Sequence, residues 1–284
     1  MNARLNAIRA GMQRGAIEMR NSLQTPTDIG YYLVGNIVFV VVMIFNRSVM
    51  IEGLGISVAQ LAFPGVLAMI VVFVSTYGLA TLVSPEREDG TLLRAKSLPH
   101  GMTGYVAGQT TRTTLELAFS AAILIIAGSI LIPGLWTNGL LTLLEVIGLL
   151  LLGLLATLPL GIALGSLFKN PRALGGWGFF VFAGLILVSG LFMPLADLPW
   201  WGQLIGQVFP LYWLGLGMRS VLLPESTVVI ELGESWRTLE MLGVLGAWAV
   251  VGLLLAPVLL RRMARRESGL AVEARRQSAL QRTT

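Results

Sequence analysis

The sequence predicts an all-α integral membrane protein with six transmembrane helices. Three observations carry that prediction. Of 284 residues, 55% are hydrophobic and only 12% are charged, too few polar groups to clothe a water-exposed domain. The apolar residues gather into six runs near the ~20 residues that cross a bilayer. The basic residues are also one-sided. With the N-terminus in the cytoplasm, all but Arg47, Arg219 and Arg237 of the 20 Lys and Arg fall on the cytoplasmic flanks.

Taken in order, residues 1–28 carry Arg4, Arg9, Arg14 and Arg20 with no apolar core before Ile29, unlike a cleavable signal segment. Leu5, Ile8, Met12, Ala16, Met19 and Leu23 recur at helical spacing, which predicts an amphipathic helix lying in the cytoplasmic interface. A solvated helix or frayed tail is the alternative. The spans follow at 29–45, 61–83, 105–132, 140–168, 175–195 and 239–260. The connector at 133–139 reads as a tight outer turn that makes the third and fourth spans antiparallel neighbours. Lys169-Asn-Pro-Arg172 reads as a tight inner turn. Residues 200–218 hold no charge until Arg219 and are nearly long enough to span. A crossing there would place the seven arginines after residue 260 on the wrong side. Pro210 and the glycines at 202, 206, 215 and 217 point instead to short, broken outer or re-entrant helices between spans five and six. A seventh span is the alternative. The layout is thus an interfacial helix at 1–28, a six-span membrane domain at 29–260, and a basic cytoplasmic tail at 261–284. That places the protein in the plasma or inner membrane with both termini cytoplasmic.

Several chemistries are excluded. Absent cysteine rules out disulfides and thiol catalysis. The two lysines, Lys96 and Lys169, follow Ala95 and Phe168, so no Gly-Lys pair exists to build a phosphate-binding loop. One histidine, His100, supplies neither a zinc motif nor a catalytic pair. Asp28, Asp89 and Asp197 sit at span ends or in connectors, which leaves no intramembrane aspartyl dyad. The chain is expected not to be an enzyme and to bind no metal or cofactor directly. Its net charge of +5 is read as lipid-facing rather than nucleic-acid-binding.

The densest chemistry is the polar cassette 84–99 between the second and third spans. Pro85 is expected to end the second span, because it cannot donate to the helical ladder. Gly90 permits a positive φ, and Thr91 caps a short helix over 92–98 that Pro99 stops. Leu92, Ala95 and Leu98 share one stripe, with Arg94 and Lys96 elsewhere. Either this stub docks a cytoplasmic protein, or it is a solvated loop that anchors topology.

At this point the chain resembles a family. Glu86-Arg-Glu-Asp-Gly-Thr-Leu-Leu-Arg94 with Leu98-Pro99 is similar to the E-R-E-x-G-T motif of type-2 ATP-binding-cassette exporter permeases. Ser189-Gly-Leu-Phe-Met-Pro-Leu-Ala-Asp-Leu-Pro-Trp-Trp201, with Phe209-Pro-Leu and Arg219, resembles that family's fifth span and outer helices, in its daunorubicin-resistance-like branch of drug and lipid exporters. The resemblance implies a half-transporter that pairs with a second permease copy or paralogue. It also implies a separate nucleotide-binding subunit that holds ATP and Mg2+. The coupling residues it implies are Glu86, Arg87, Glu88, Asp89, Gly90, Thr91, Leu92, Arg94 and Leu98. Leu93-Arg94 stands where many members carry a second acid. The substrate path implied by the family, along the second and fifth spans, runs past Phe73, Tyr77, Phe182 and Phe192, suited to amphipathic or lipid-like cargo.

Two acids lie within spans. Glu116 pairs with Arg112 one turn earlier or faces substrate; Glu145 is an equally open candidate for the path. The rival readings are an ion-coupled transporter using Glu116 or Glu145, and a non-transporting scaffold. Gly161 and Gly165 form a small-xxx-small pair that allows close helix contact.

Overall fold

A computed structural model describes residues 2–88, 90–168, 171–192 and 194–266. Among them the fold is helical, and the only extended pairing is a single antiparallel bridge between Met50 and Ser57. Five helices are long and apolar enough to cross a membrane.

Helix α1 (Ala3–Ser22) starts at Asn2, whose side chain accepts the Arg4 N–H. It lies along α6 (Gly101–Leu131) and approaches through its smallest residues. A methyl group at Gly11 would stand 2.0 Å from the Gly104 carbonyl oxygen, and one at Gly15 would stand 2.2 Å from that of Gly108. No larger side chain fits this contact. The face that docks is therefore Gly11, Gly15, Met19 and Ser22, while Leu5, Met12, Ala16 and Leu23 of the predicted apolar stripe stay exposed. Protein packing claims the small face and leaves the apolar one outward.

Helix α2 (Pro26–Asn46) begins with a proline, whose missing N–H costs nothing in a first turn, and buries little beyond Tyr32, Asn36 and Met43. Next comes a rod of three pieces. Helix α3 (Val58–Val72) is capped by Ser57, whose oxygen accepts the Gln60 N–H. It passes through a widened π turn, Phe73–Gly78, into α4 (Leu79–Glu88). Pro85 lies inside α4 and does not end it, which corrects the expected stop. Intramembrane helices tolerate proline where neighbouring elements and local π geometry absorb the lost hydrogen bond. Helix α5 (Thr91–Ser97) and then α6 follow.

Helix α7 (Leu140–Leu167) packs chiefly on the α3–α4 rod, α11 and α12. The expected pairing with α6 is not among its main contacts, so a short connector has joined helices that choose other partners. Against the π turn the approach is again closest at glycine. A methyl at Gly161 would lie 2.2 Å from the Ser75 carbonyl, and one at Gly165 would lie 3.3 Å from Ala80 Cα. The small-xxx-small pair is thus a packing face. Ser75 Oγ and Thr157 Oγ1 hydrogen-bond across this seam at 2.5 Å, and Thr157 also donates to the Gly153 carbonyl.

The run predicted as span five becomes a single turn, α8 (Pro171–Ala173), a π turn (Leu174–Gly178) and α9 (Phe179–Leu187). The continuous apolar stretch Leu174–Leu187 rises only about 21 Å, short of a ~30 Å hydrocarbon core. It ends where Gly190 takes φ +68° and turns the chain back. A 3-10 turn (Leu195–Asp197) leads to α10 (Trp200–Val208) and α11 (Pro210–Leu222), broken at Phe209, which is extended ahead of Pro210. Helix α10 exposes Trp200, Trp201, Leu204, Ile205 and Val208, whereas α11 is buried along most of its length by α3, α7 and α12. After a 3-10 segment (Glu225–Ile230), α12 (Thr238–Arg266) closes the fold. It carries helix six residues into the stretch expected as a tail; the rest of 261–284 lies outside the described residues.

Candidate functional site

The cassette is built by one break in the backbone. Gly90 takes φ +80° and caps α5, so the helix starts at Thr91 rather than at Leu92. Leu98 is already extended before Pro99 and stands outside it. Leu92 is fully buried against the core, with Ala95 half-buried beside it. Leu98, 63% exposed, does not join that stripe. Arg94 and Lys96 also face outward. The Arg94 guanidinium donates to Thr91 Oγ1 at 2.9 Å, and Ser97 Oγ donates to the Arg94 carbonyl. The return into α6 is equally tight: a methyl at Gly101 would fall 2.0 Å from the Ala95 carbonyl oxygen. Anchored by Leu92 and clamped at both ends, α5 cannot swing independently of α4 and α6. Asp89 and the side chains of Arg87 and Glu88 lie outside the described residues.

Glu86 faces inward. Its carboxylate accepts from Arg14 Nη2 at 2.6 Å, Tyr105 Oη at 2.7 Å and Gln109 Nε2 at 2.6 Å. One side chain therefore ties α1, α4 and α6 together. Arg14 also donates to Glu18 at 2.6 Å, and Arg112 stands 3.7 Å from the other Glu18 oxygen. Partial burial works against the Arg14 cation, but hydrogen bonds and charges from Glu18 and Glu86 outweigh it and raise its pKa above the usual arginine value. Sequence reasoning missed Arg14, Tyr105 and Gln109 as partners. The available signal was Tyr105 and Gln109, polar groups one helical turn apart at the head of an apolar run.

Phe73, Tyr77 and Phe182 do converge, with ring centroids 5.6–5.7 Å apart, and Tyr31 and Phe179 extend the cluster. Phe192 is not part of it; it lies by Arg219 and Glu231 at the far end of α3. Glu145 is exposed on α7 and joins neither group. Arg112 stands 3.7 Å from Glu18 and 3.5 Å from Ser22 Oγ, and no ion pair with Glu116, one of the two alternatives for that acid, is among the described contacts.

The far end has a polar centre that sequence reasoning also missed. Arg219 of α11 and Glu231 are each 5% exposed and form a two-pronged pair at 2.5 and 3.2 Å. Arg219 also donates to the Gly190 carbonyl at 3.2 Å, fixing the reversal after α9. Fork-to-carboxylate geometry of this kind is the strong form of an ion pair.

Against known proteins, the sequence model of one family, described as ABC-2 type transporter, matches residues 12–223, from within α1 to just past α11. No curated protein matches the chain.

Proposed function

We propose, from the premise that the chain belongs to the ABC-2 type transporter family, that it is the permease subunit of an ATP-driven exporter for an amphipathic drug-like, lipid or natural-product cargo. Family membership and five apolar spanning helices make it a multi-pass membrane permease rather than a catalytic domain. The finer reading has both termini and the 84–99 cassette in the cytoplasm, supported by the one-sided basic residues. In it, Leu174–Leu187 completes a sixth crossing together with its flanking turns, and α10–α11 forms a re-entrant pair. Two permease copies, or this chain and a paralogue, assemble around the aromatic face of Phe73, Tyr77 and Phe182. A separate subunit binds ATP and Mg2+.

The observation that carries the reading is α5. It is a short helix with one buried anchor, Leu92, and an exposed surface of Arg94, Lys96 and Leu98, clamped between two spanning helices. A partner pressing there moves α4 and α6 together. The test is crosslinking from Leu98→Cys or Arg94→Cys to a co-expressed nucleotide-binding subunit, combined with vanadate-sensitive ATP hydrolysis by the complex. Hydrolysis and a crosslink that both depend on this chain are expected. Transport that persists with no such subunit would sink the proposal.

A further inference from the structure

Among the described residues, Glu116 is the one acid placed midway along a spanning helix and buried, at 5% exposure. None of the described hydrogen bonds or ion pairs includes it. Its carboxylate lies beside the π turn, where a methyl at Gly78 would come within 3.9 Å of Oε1. It lines two adjoining cavities that share Tyr31 and Tyr32. One is walled by Asn36, Phe39, Phe73 and Ser120; the other by Asp28, Arg112 and Thr81. Asn36, 1% exposed, donates through Nδ2 to the Tyr32 carbonyl, but its Oδ1 is buried with no partner. Glu116 and the unsatisfied Asn36 Oδ1 thus line one cavity whose other walls, Ser120 apart, are mostly aromatic and aliphatic.

The surrounding charges do not balance. Among the described side chains, Arg14 and Arg112 face Glu18, Glu86, Asp28 and Glu116. Arg14 is taken by Glu18 and Glu86. Arg112 leans to Glu18 and Ser22, and Asp28 accepts only from Ser22. Arg112 also attracts Glu116 through space, and Asp28 repels it, so two cations are shared among four acids and the cluster is short of positive charge. An unpaired acid in this setting is costly, and the cost is relieved by a cation that brings its own apolar surface. Aromatic walls favour such a cation further, because ring faces attract it. Tyr31 stacks on Phe73 at 6.3 Å and meets Tyr32 edge-on at 5.9 Å, so the walls are preassembled.

We propose that this pocket between α2, the π turn and α6 binds a lipophilic organic cation, with the Glu116 carboxylate and Asn36 Oδ1 as its polar contacts. It narrows the cargo class under the permease reading, but binding itself does not depend on that reading. Helix α2 buries little of itself, so the entrance lies along its exposed flank, open to ligand already dissolved in the bilayer.

The experiment is a fluorescence titration of the purified full chain in lipid nanodiscs with rhodamine 6G, competed by tetraphenylphosphonium. Nile red serves as a neutral probe. Saturable, competable rhodamine binding is expected, weakened at least tenfold in Glu116→Gln and several-fold in Asn36→Leu, with Nile red unchanged. Glu116→Asp should recover part of the loss. Size-exclusion profiles and thermal midpoints confirm that each variant is folded. Equal rhodamine affinity in wild type and Glu116→Gln overturns the proposal, as does absence of saturable cation binding to the wild type. Cation binding with no partner-dependent ATP hydrolysis leaves the site standing and removes the exporter reading; the reverse result does the opposite.

Discussion

The two ends of the α3–α4 rod hold themselves together by different electrostatics. At the Val58 end, one pair does the work: Arg219 and Glu231 are almost fully buried and satisfy each other, with the Gly190 carbonyl as a further acceptor. At the Glu86 end, a single carboxylate is shared by three donors from two other helices, and it is only partly buried. The first arrangement is all-or-none; the second is distributed. A buried pair stripped of one partner leaves a naked charge in a low-dielectric interior, whereas a shared carboxylate loses its contacts one at a time. The brittle device lies at the end where the chain reverses at Gly190, and the graded one at the end that carries α5.

Six substitutions, singly or paired, test that contrast, from the largest effect to the smallest. Glu231→Leu alone should cost about 3–5 kcal/mol, because Arg219 is left buried and unpaired. It should appear as loss of the monodisperse peak or a large drop in thermal midpoint. Changing both partners to apolar residues, Arg219→Met with Glu231→Leu, should recover most of it. A single mutant as stable as wild type would end the all-or-none claim. Gly11→Leu should come next, since its side chain must enter space 2.0 Å from a backbone carbonyl. The expected outcome is release of α1, read as faster proteolysis within residues 3–22 while the remaining helices stay protected. Glu86→Ala should destabilise by about 1–3 kcal/mol, because Tyr105 and Gln109 lose their acceptor. If the sharing is real, Tyr105→Phe should cost less than Glu86→Ala, and the pair together less than their sum. Leu98→Ala, at an exposed site, should shift stability by no more than about 0.5 kcal/mol. It should still lower partner-stimulated ATP hydrolysis, which separates the docking surface from the scaffold beneath it.

How far these features were legible depends on whether they are local. The apolar runs mark α2, the α3–α4 rod, α6, α7 and α12 directly, because membrane solvation is a property of composition along a segment. The positive φ at Gly90 was also readable, since glycine carries that freedom in its own chemistry. Pro85 misled because a proline stops an isolated helix, but one wedged among packed neighbours does not. The shortness of Leu174–Leu187 was hidden because the turn at Gly190 is held by Arg219, 29 residues away. The docked face of α1 was misjudged for a similar reason. Periodicity finds the apolar face, but helices in close contact prefer the smallest one. For Glu116, helical spacing left pairing with Arg112 and facing substrate both open; no ion pair between the two is among those described, and Arg112 stands 3.7 Å from Glu18 of another helix. Most misses concern a partner distant in sequence, though Leu98 leaves its stripe at the end of α5 itself.

The tight turns on either side of α5 have a mechanical consequence. Clamped by Gly90 and Gly101, the segment is a crank throw whose two webs are α4 and α6. The web formed by the 29-residue stretch Val58–Glu86 is about 43 Å long. An axial pivot at the far end then converts each ångström pushed at the throw into a tilt of about 1.3°. With the far end as pivot, a stroke of one helix diameter at the throw, about 10 Å, tilts the web by about 13°, a motion on the scale of a domain closing rather than of a side chain turning over.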